Sequence, residues 1–139
     1  MSEESSFIPT GLASQQINKL KASCQNVANL TIEALRQAAW GHLQNTVKAH
    51  QRNPLINIRL AQALYDIIRH LTTHWHTLRP EARPWLAGAI LYFVKSDDEE
   101  PDFASPIGFE DDAEVLNACL RLAHLAHLCV NPADYDDVE

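Results

Sequence analysis

The chain has 139 residues, with a hydrophobic content of 46% and a charged content of 21%, which is ordinary for a globular protein and excludes a disordered one. This length fits one domain, so we predict a single domain over residues 1–139. We expect residues 1–11 and 130–139 to be flexible, as the ends of a domain commonly are.

The net charge of −7 is unevenly distributed along the chain. Residues 1–94 carry nine Lys and Arg against five Asp and Glu, a net +4, whereas residues 95–139 carry two against thirteen, a net −11. Because phosphate binding needs clustered cations, we predict no nucleic-acid partner. The longest apolar run, Trp85–Val94, has ten residues, about half the length that a membrane span requires, so we predict no such span. The first residues lack the apolar core of a signal peptide, which predicts a cytoplasmic protein.

The first helical segment runs from about Leu12 to His50, a stretch without proline. A break near Asn26–Asn29 divides it into two helices, and Gly41 marks either a close approach or a weak point. Its apolar side chains recur at helical spacing, at Leu20, Cys24, Val27, Leu30, Ala34 and Ala38.

Helix-start signals locate the next two helices. Asn53 suits an N-cap and Pro54 the first helical position, which predicts a helix over about 54–77. Pro84 similarly opens a helix over about 84–95. The apolar stripe of the 54–77 helix is Leu60, Leu64, Ile67, Leu71 and Trp75.

A last helix is predicted over about 112–129. Like the 84–95 helix it is apolar around most of its circumference, which indicates burial on several sides. We therefore predict an all-α single domain of four to five helices, built around a central helical hairpin of 84–95 and 112–129. Its expected core residues are Leu91, Leu116, Leu120 and Leu122.

The two hairpin helices are joined by the acidic segment, defined here as residues 97–112, with eight Asp and Glu in sixteen positions. Asp111 and Glu114 match a capping box, and Asp98 and Asp102 suit turns. The alternative is a divalent-cation site, because Ca²⁺ and Mg²⁺ need several converging oxygens. Its ligands would be Asp98, Asp102, Asp111 and Asp112.

The run "LYFVKSDDEEPDFASPIGFEDD" resembles the signature of the YkvA-like family, a bacterial domain of unknown function, over about residues 84–125. Leu91 and Tyr92 align with its Leu-Tyr, and the family's aspartates align with Asp98, Asp102, Asp111 and Asp112. This sequence departs from the family signature at Lys95, Ser96, Glu99, Glu100 and Pro106. The resemblance implies that residues 84–125 form the core of the domain, and it implies no activity.

The histidines raise the hypothesis of a zinc site. His70 and His74 are spaced i, i+4 with Asp66 one turn earlier, but no glutamate base lies between them, so we predict a surface pair. His127 falls on an apolar stripe and is expected in the core. His124 lies on a polar edge, where it could pair with the acidic segment.

No nucleophile motif and no glycine-rich phosphate loop occurs, and Cys24, Cys119 and Cys129 form no CxxC pair. The function predicted is therefore a non-enzymatic interaction module that presents the acidic segment to a basic partner. The alternative is a metal-dependent protein or hydrolase using Asp98, Asp102, Asp111 and Asp112. No cofactor is expected apart from a divalent cation at that segment.

The amount of apolar surface bears on oligomeric state. Two helices that are apolar over most of their circumference need more cover than the remaining helices obviously supply, and Trp40, Trp75 and Trp85 add apolar area. A two-fold homodimer is the commonest solution. A compact monomer, with the N-terminal helices covering the hairpin, is the alternative.

Overall fold

The computed structural model of the protein describes residues 8–27, 30–52, 58–94 and 109–135. Within these ranges there are five α-helices and no strand, which confirms the predicted all-α fold. Short 3₁₀ turns lie at Trp75–Thr77, Ala126–Leu128 and Pro132–Tyr135. None of the described helices is both long and apolar enough to cross a bilayer. The helices are α1 (Ser14–Asn26), α2 (Ile32–Arg52), α3 (Ile58–Thr73), α4 (Arg83–Val94) and α5 (Glu110–Leu122).

Helix α4 lies at the centre of the domain, where it packs against α1, α2 and α5. Every residue from Leu86 to Phe93 is buried, as its all-round apolar pattern predicts. Neighbouring helices of the same copy therefore supply the cover that the sequence led us to seek from a second copy. A homodimer needs a different physical reason.

Because of the break between α1 and α2, the buried face of α2 does not continue the helical spacing of α1. The Thr31 hydroxyl accepts a hydrogen bond from the Ala34 N–H at 3.0 Å and so caps the start of α2. The predicted stripe is wrong beyond this point, because Leu30 is 43% exposed and Ala34 is exposed. One spacing cannot be carried across two helices whose phases are set independently. The buried positions of α2 are Leu35, Ala39, His42, Leu43 and Thr46.

Helix α3 follows its predicted stripe. Leu60, Leu64 and Leu71 are buried, Ile67 is half-buried, and Trp75 is buried in the 3₁₀ turn after the helix. The predicted start signals at Asn53 and Pro54 lie outside the described residues.

The close helix approach occurs at Gly88 of α4. A Cβ placed on Gly88 would meet the Cys24 Sγ and would lie 3.2 Å from the Cys24 backbone N and Cα. A Cβ on Gly41 would meet nothing within 4 Å. Gly41 is therefore the weak point of the two predicted alternatives, and Gly88 allows α1 and α4 to pack closely.

Helix α5 ends at Leu122 and not near Cys129, which corrects the predicted extent of 112–129. His124 adopts the left-handed conformation, with φ of 64°. The Leu125 N–H donates to the Leu120 carbonyl at 2.7 Å, and the His124 N–H donates to the Arg121 carbonyl at 3.1 Å. These are the two bonds of a Schellman C-terminus, with histidine at the position that glycine usually occupies.

The early end of α5 changes which side chains face the core. Leu91, Leu116 and Leu120 are buried as predicted, but Leu122 is only half-buried. His127 is exposed, so its predicted core position is wrong. Leu122 is the last residue of α5. The prediction for His127 fails because the angles of the helical wheel do not apply beyond the left-handed residue His124.

The chain after Cys129 returns to α5 through Asn117. The Asn117 amide donates to the Val130 carbonyl at 2.7 Å and accepts from the Val130 N–H at 2.8 Å. Val130 is only 6% exposed. A single asparagine side chain thus satisfies both backbone groups of a buried residue.

Candidate functional site

The four aspartates of the candidate site divide into two pairs. Asp98 and Asp102 lie outside the described residues. Asp111 and Asp112 lie in the first turn of α5, where carboxylates interact favourably with the helix dipole. The structure therefore locates half of the predicted ligand set.

Asp111 is a junction between three helices. Its carboxylate accepts hydrogen bonds from the Tyr92 hydroxyl of α4 and the Gln16 amide of α1, each at 2.5 Å. The same Gln16 Nε2 donates to Glu114 at 2.9 Å, and Gln16 Oε1 accepts from the Ala13 N–H at 2.8 Å. Charged acceptors strengthen such bonds, so Asp111 holds α1 and α4 against the start of α5.

The predicted capping box at Asp111 and Glu114 is wrong. Helix α5 begins two residues earlier than predicted, at Glu110, and its N-cap residue Phe109 makes no side-chain cap bond. Asp111 therefore occupies the second helical position, and its carboxylate is turned to tertiary partners. Sequence can show a motif, but it cannot show that a distant glutamine will compete for the same carboxylates.

A buried aromatic cluster lies at the base of the acidic segment. His42 of α2 is 4% exposed, and its ring meets the Phe93 ring edge-on at 4.7 Å between centroids. The Phe109 ring lies 6.1 Å from both. Asp112, three residues further along α5, is 3% exposed. Phe93 precedes the acidic segment and Phe109 lies three residues before its end, so the chain is fixed to the same part of α2 at both residues.

Sequence reasoning missed His42. Its position on α2 follows from the spacing of Leu35, Ala39 and Thr46, which are all buried in the core of the domain. That signal becomes visible only when the phase of α2 is read separately from that of α1.

In the part of the chain that the structure describes, the remaining histidines do not come together with other metal-ligating side chains. The His70 and His74 rings lie 4.6 Å apart and both residues are exposed, which confirms the predicted surface pair. The exposed His124 accepts a hydrogen bond from the Arg79 guanidinium at 2.9 Å. Within the described ranges, no group of three or more His, Cys, Asp or Glu side chains could hold a metal ion.

The cysteine thiols are poor nucleophiles where they are buried. Burial raises the pKa of the Cys24 thiol to about 11, and burial also raises the pKa of Cys119, with a smaller contribution from Cys24. Cys129 donates weakly to the Asn117 carbonyl at 3.6 Å. All three are free cysteines. A thiol needs a lowered pKa to attack at neutral pH, so the chemistry of Cys24 and Cys119 is packing.

One surface feature was not foreseen as a site. Trp40, in the middle of α2, is 50% exposed, and its ring packs on Tyr65 of α3 at 5.4 Å between centroids. Two arginines flank the pair, and the whole forms a hollow of about 380 Å³. We call it the Trp40 hollow. Its lining residues are Arg36, Gln37, Trp40, Tyr65 and Arg69.

Comparison with known proteins adds no functional assignment. No family model, no curated protein and no solved structure matches this chain. The resemblance of residues 84–125 to the YkvA-like signature stays a prediction.

Proposed function

We propose that this chain is a non-enzymatic helical interaction module that presents its acidic segment to a basic partner. The observation that carries the proposal is the anchoring of the chain before the segment, at Phe93, and near its end, at Phe109. Phe93 and Phe109 are 2% and 1% exposed, and both pack around His42. A charged stretch held between two buried anchors is offered from a rigid base, which lowers the entropy cost of binding.

The roles of Asp111 and Asp112 refine this proposal. Asp111 is engaged by Tyr92 and Gln16, and Asp112 is buried. These two carboxylates serve the fold, so the charge offered to a partner comes from Asp97–Asp102. Opposite charge at an interface raises the association rate and selects partners by sign more than it raises affinity.

Affinity capture tests the proposal, with three purified proteins each used as the immobilised bait. One is the wild type; the second has Asp98, Glu99, Glu100 and Asp102 changed to their amides; the third has Asp134, Asp136, Asp137 and Glu139 changed in the same way. Both variants lose four negative charges, so they differ only in where the charge is removed. We expect basic proteins to be retained by the wild type and the tail variant and lost from the segment variant. Identical captured sets from all three proteins would contradict the proposal.

The metal-dependent alternative makes a different prediction. A cation bound by Asp98, Asp102, Asp111 and Asp112 would raise Tm when Ca²⁺, Mg²⁺ or Mn²⁺ exceeds its dissociation constant. The rise would disappear in Asp102→Asn. An interaction module shows no such rise, so thermal denaturation with each ion separates the two functions.

A further inference from the structure

The Trp40 hollow has the chemistry of a peptide-docking site. Trp40 is half-exposed on a regular helix and is supported by Tyr65, which is 8% exposed. Tryptophan, tyrosine and arginine are the residues that most often dominate binding energy at interfaces. A fixed aromatic surface between two arginines suits a segment that carries both carboxylates and an aromatic side chain.

The arginines of the hollow are accessible to such a segment. Arg36 pairs with Glu33 at 2.5 Å, but the side chains of both are substantially exposed, at 35% and 61%. An exposed pair of this kind contributes little to stability, so a ligand carboxylate can replace or share it. Arg69 is exposed on the neighbouring helix. Guanidinium groups bind carboxylates through two parallel hydrogen bonds.

The chain itself contains a segment of the matching chemistry. Residues 97–103, "DDEEPDF", place five carboxylates next to Phe103, within the −11 part of the sequence, whereas the hollow lies in the +4 part. Phe93 and Phe109, which lie on either side of residues 97–103, are anchored around His42, on the buried face of α2. Trp40 is two residues away and therefore about 200° around the helix, on the outer face. The acidic segment of the same copy would have to pass around α2 to reach that outer face. The acidic segment of a second copy reaches it directly.

We propose that a second copy of this chain docks residues 97–103 of its acidic segment in the Trp40 hollow, and that the exchange is reciprocal across a two-fold axis. This inference rests on the proposed function and names the basic partner as the chain itself. A reciprocal contact uses the hollow and the acidic segment twice, as closed two-fold assemblies do.

Self-association of the purified full-length chain tests the proposal by sedimentation equilibrium at about 50 mM and about 500 mM salt. We expect a dimer that salt weakens. Reversing Arg36→Glu together with Arg69→Glu should raise the dimer dissociation constant at least tenfold. The matched control, Lys48→Glu with Arg52→Glu, makes the same charge change at exposed positions of α2 that do not line the hollow. It should leave the constant within about twofold.

A charge swap guards against variants that simply fold poorly. A second protein carries Asp98→Lys, Glu99→Lys and Glu100→Lys, and by itself it should be monomeric. Mixed with the Arg36→Glu, Arg69→Glu protein, it should form a heterodimer, because each acidic or basic segment then meets a hollow of opposite charge. Circular dichroism confirms that each variant is folded.

Three results would overturn the proposal. They are a wild-type mass near 15.6 kDa at every concentration, a dimer unaffected by Trp40→Ala and by the arginine reversals, and a charge-swapped mixture that stays monomeric. If the chain is monomeric but still captures basic proteins through the acidic segment, this inference fails and the proposed function stands.

Discussion

Gly88 lets the backbone of α4 approach Cys24 of α1. We expect Gly88→Ala to lower the free energy of unfolding by about 1–3 kcal/mol, because the new methyl group meets Cys24 backbone atoms at 3.2 Å that cannot rotate away. Gly41→Ala is the matched control. Its methyl group enters open space, so better helix propensity should raise stability by about 0.5–1 kcal/mol. Urea denaturation measures both variants, and equal effects in the same direction would show that α1 and α4 do not approach at Gly88.

The half-buried Cys24 thiol makes stability depend on alkaline pH. Burial raises the pKa of Cys24 to about 11 in the folded chain, whereas an unfolded cysteine ionises near pH 8.5. As pH rises between these values the unfolded chain binds fewer protons than the folded one, so the free energy of unfolding falls. Stability present below about pH 8.5 should therefore be lost progressively up to about pH 11.

Denaturation of Cys24→Ala between about pH 8 and pH 11 tests this dependence. The variant should lose less stability over the interval than the wild type. Cys129→Ala, which removes a different thiol from the chain, is the matched control. Lysine and tyrosine titration is common to all three proteins. A pH profile of Cys24→Ala parallel to the wild type would mean that the Cys24 thiol is not desolvated in the folded chain.

At the scale of the element, the end of α5 depends on a strained residue. His124 holds φ of 64°, a conformation that costs a residue with a Cβ roughly 1–2 kcal/mol. Sequence signals for helix ends are glycine, asparagine or a following proline, and none occurs at this point. The hydrophobic contact that accompanies such an end comes from Leu125, which packs against the core. Packing therefore stops the helix where local propensity would have continued it.

Substitution at His124 measures that strain. His124→Gly and His124→Ala both remove the imidazole and its contact with Arg79, so they differ only in the Cβ. The glycine variant should be more stable than the alanine variant by about 1 kcal/mol, because glycine adopts positive φ without a steric cost. Thermal denaturation of the two variants measures this difference in stability. An alanine variant as stable as the glycine variant would indicate that α5 continues past Leu122 in solution.

At the scale of the whole molecule, α1 is part of the core and not an appendage. Leu20 is 0% exposed and lies in the same cluster as the α4 and α5 side chains, whereas Leu30 is 43% exposed. Leu20→Ala should cost about 2–5 kcal/mol, because it leaves a cavity. Leu30→Ala removes the same atoms from a largely solvated site and should cost less than about 1 kcal/mol. Comparable losses measured by chemical denaturation would place Leu30 in the core.

Much of this architecture follows from the sequence alone. Helical spacing and the near-continuous apolar run of Trp85–Val94 determine an all-α fold with a buried central helix, because such a helix must be covered on every side. The stripe Leu60, Leu64 and Leu71 is buried as expected for one uninterrupted helix. These features depend on local periodicity, which the residue order contains in full.

Other features were decided only by tertiary structure. The phase of α2, the end of α5 at Leu122 and the exposure of His127 depend on how separate helices pack, and a helical wheel carries no information across a break. Asp111 illustrates the physical reason most directly. Its neighbours in sequence suggest a helix cap, but its hydrogen bonds go to Gln16 and Tyr92, 95 and 19 residues away, which only the folded chain brings within reach.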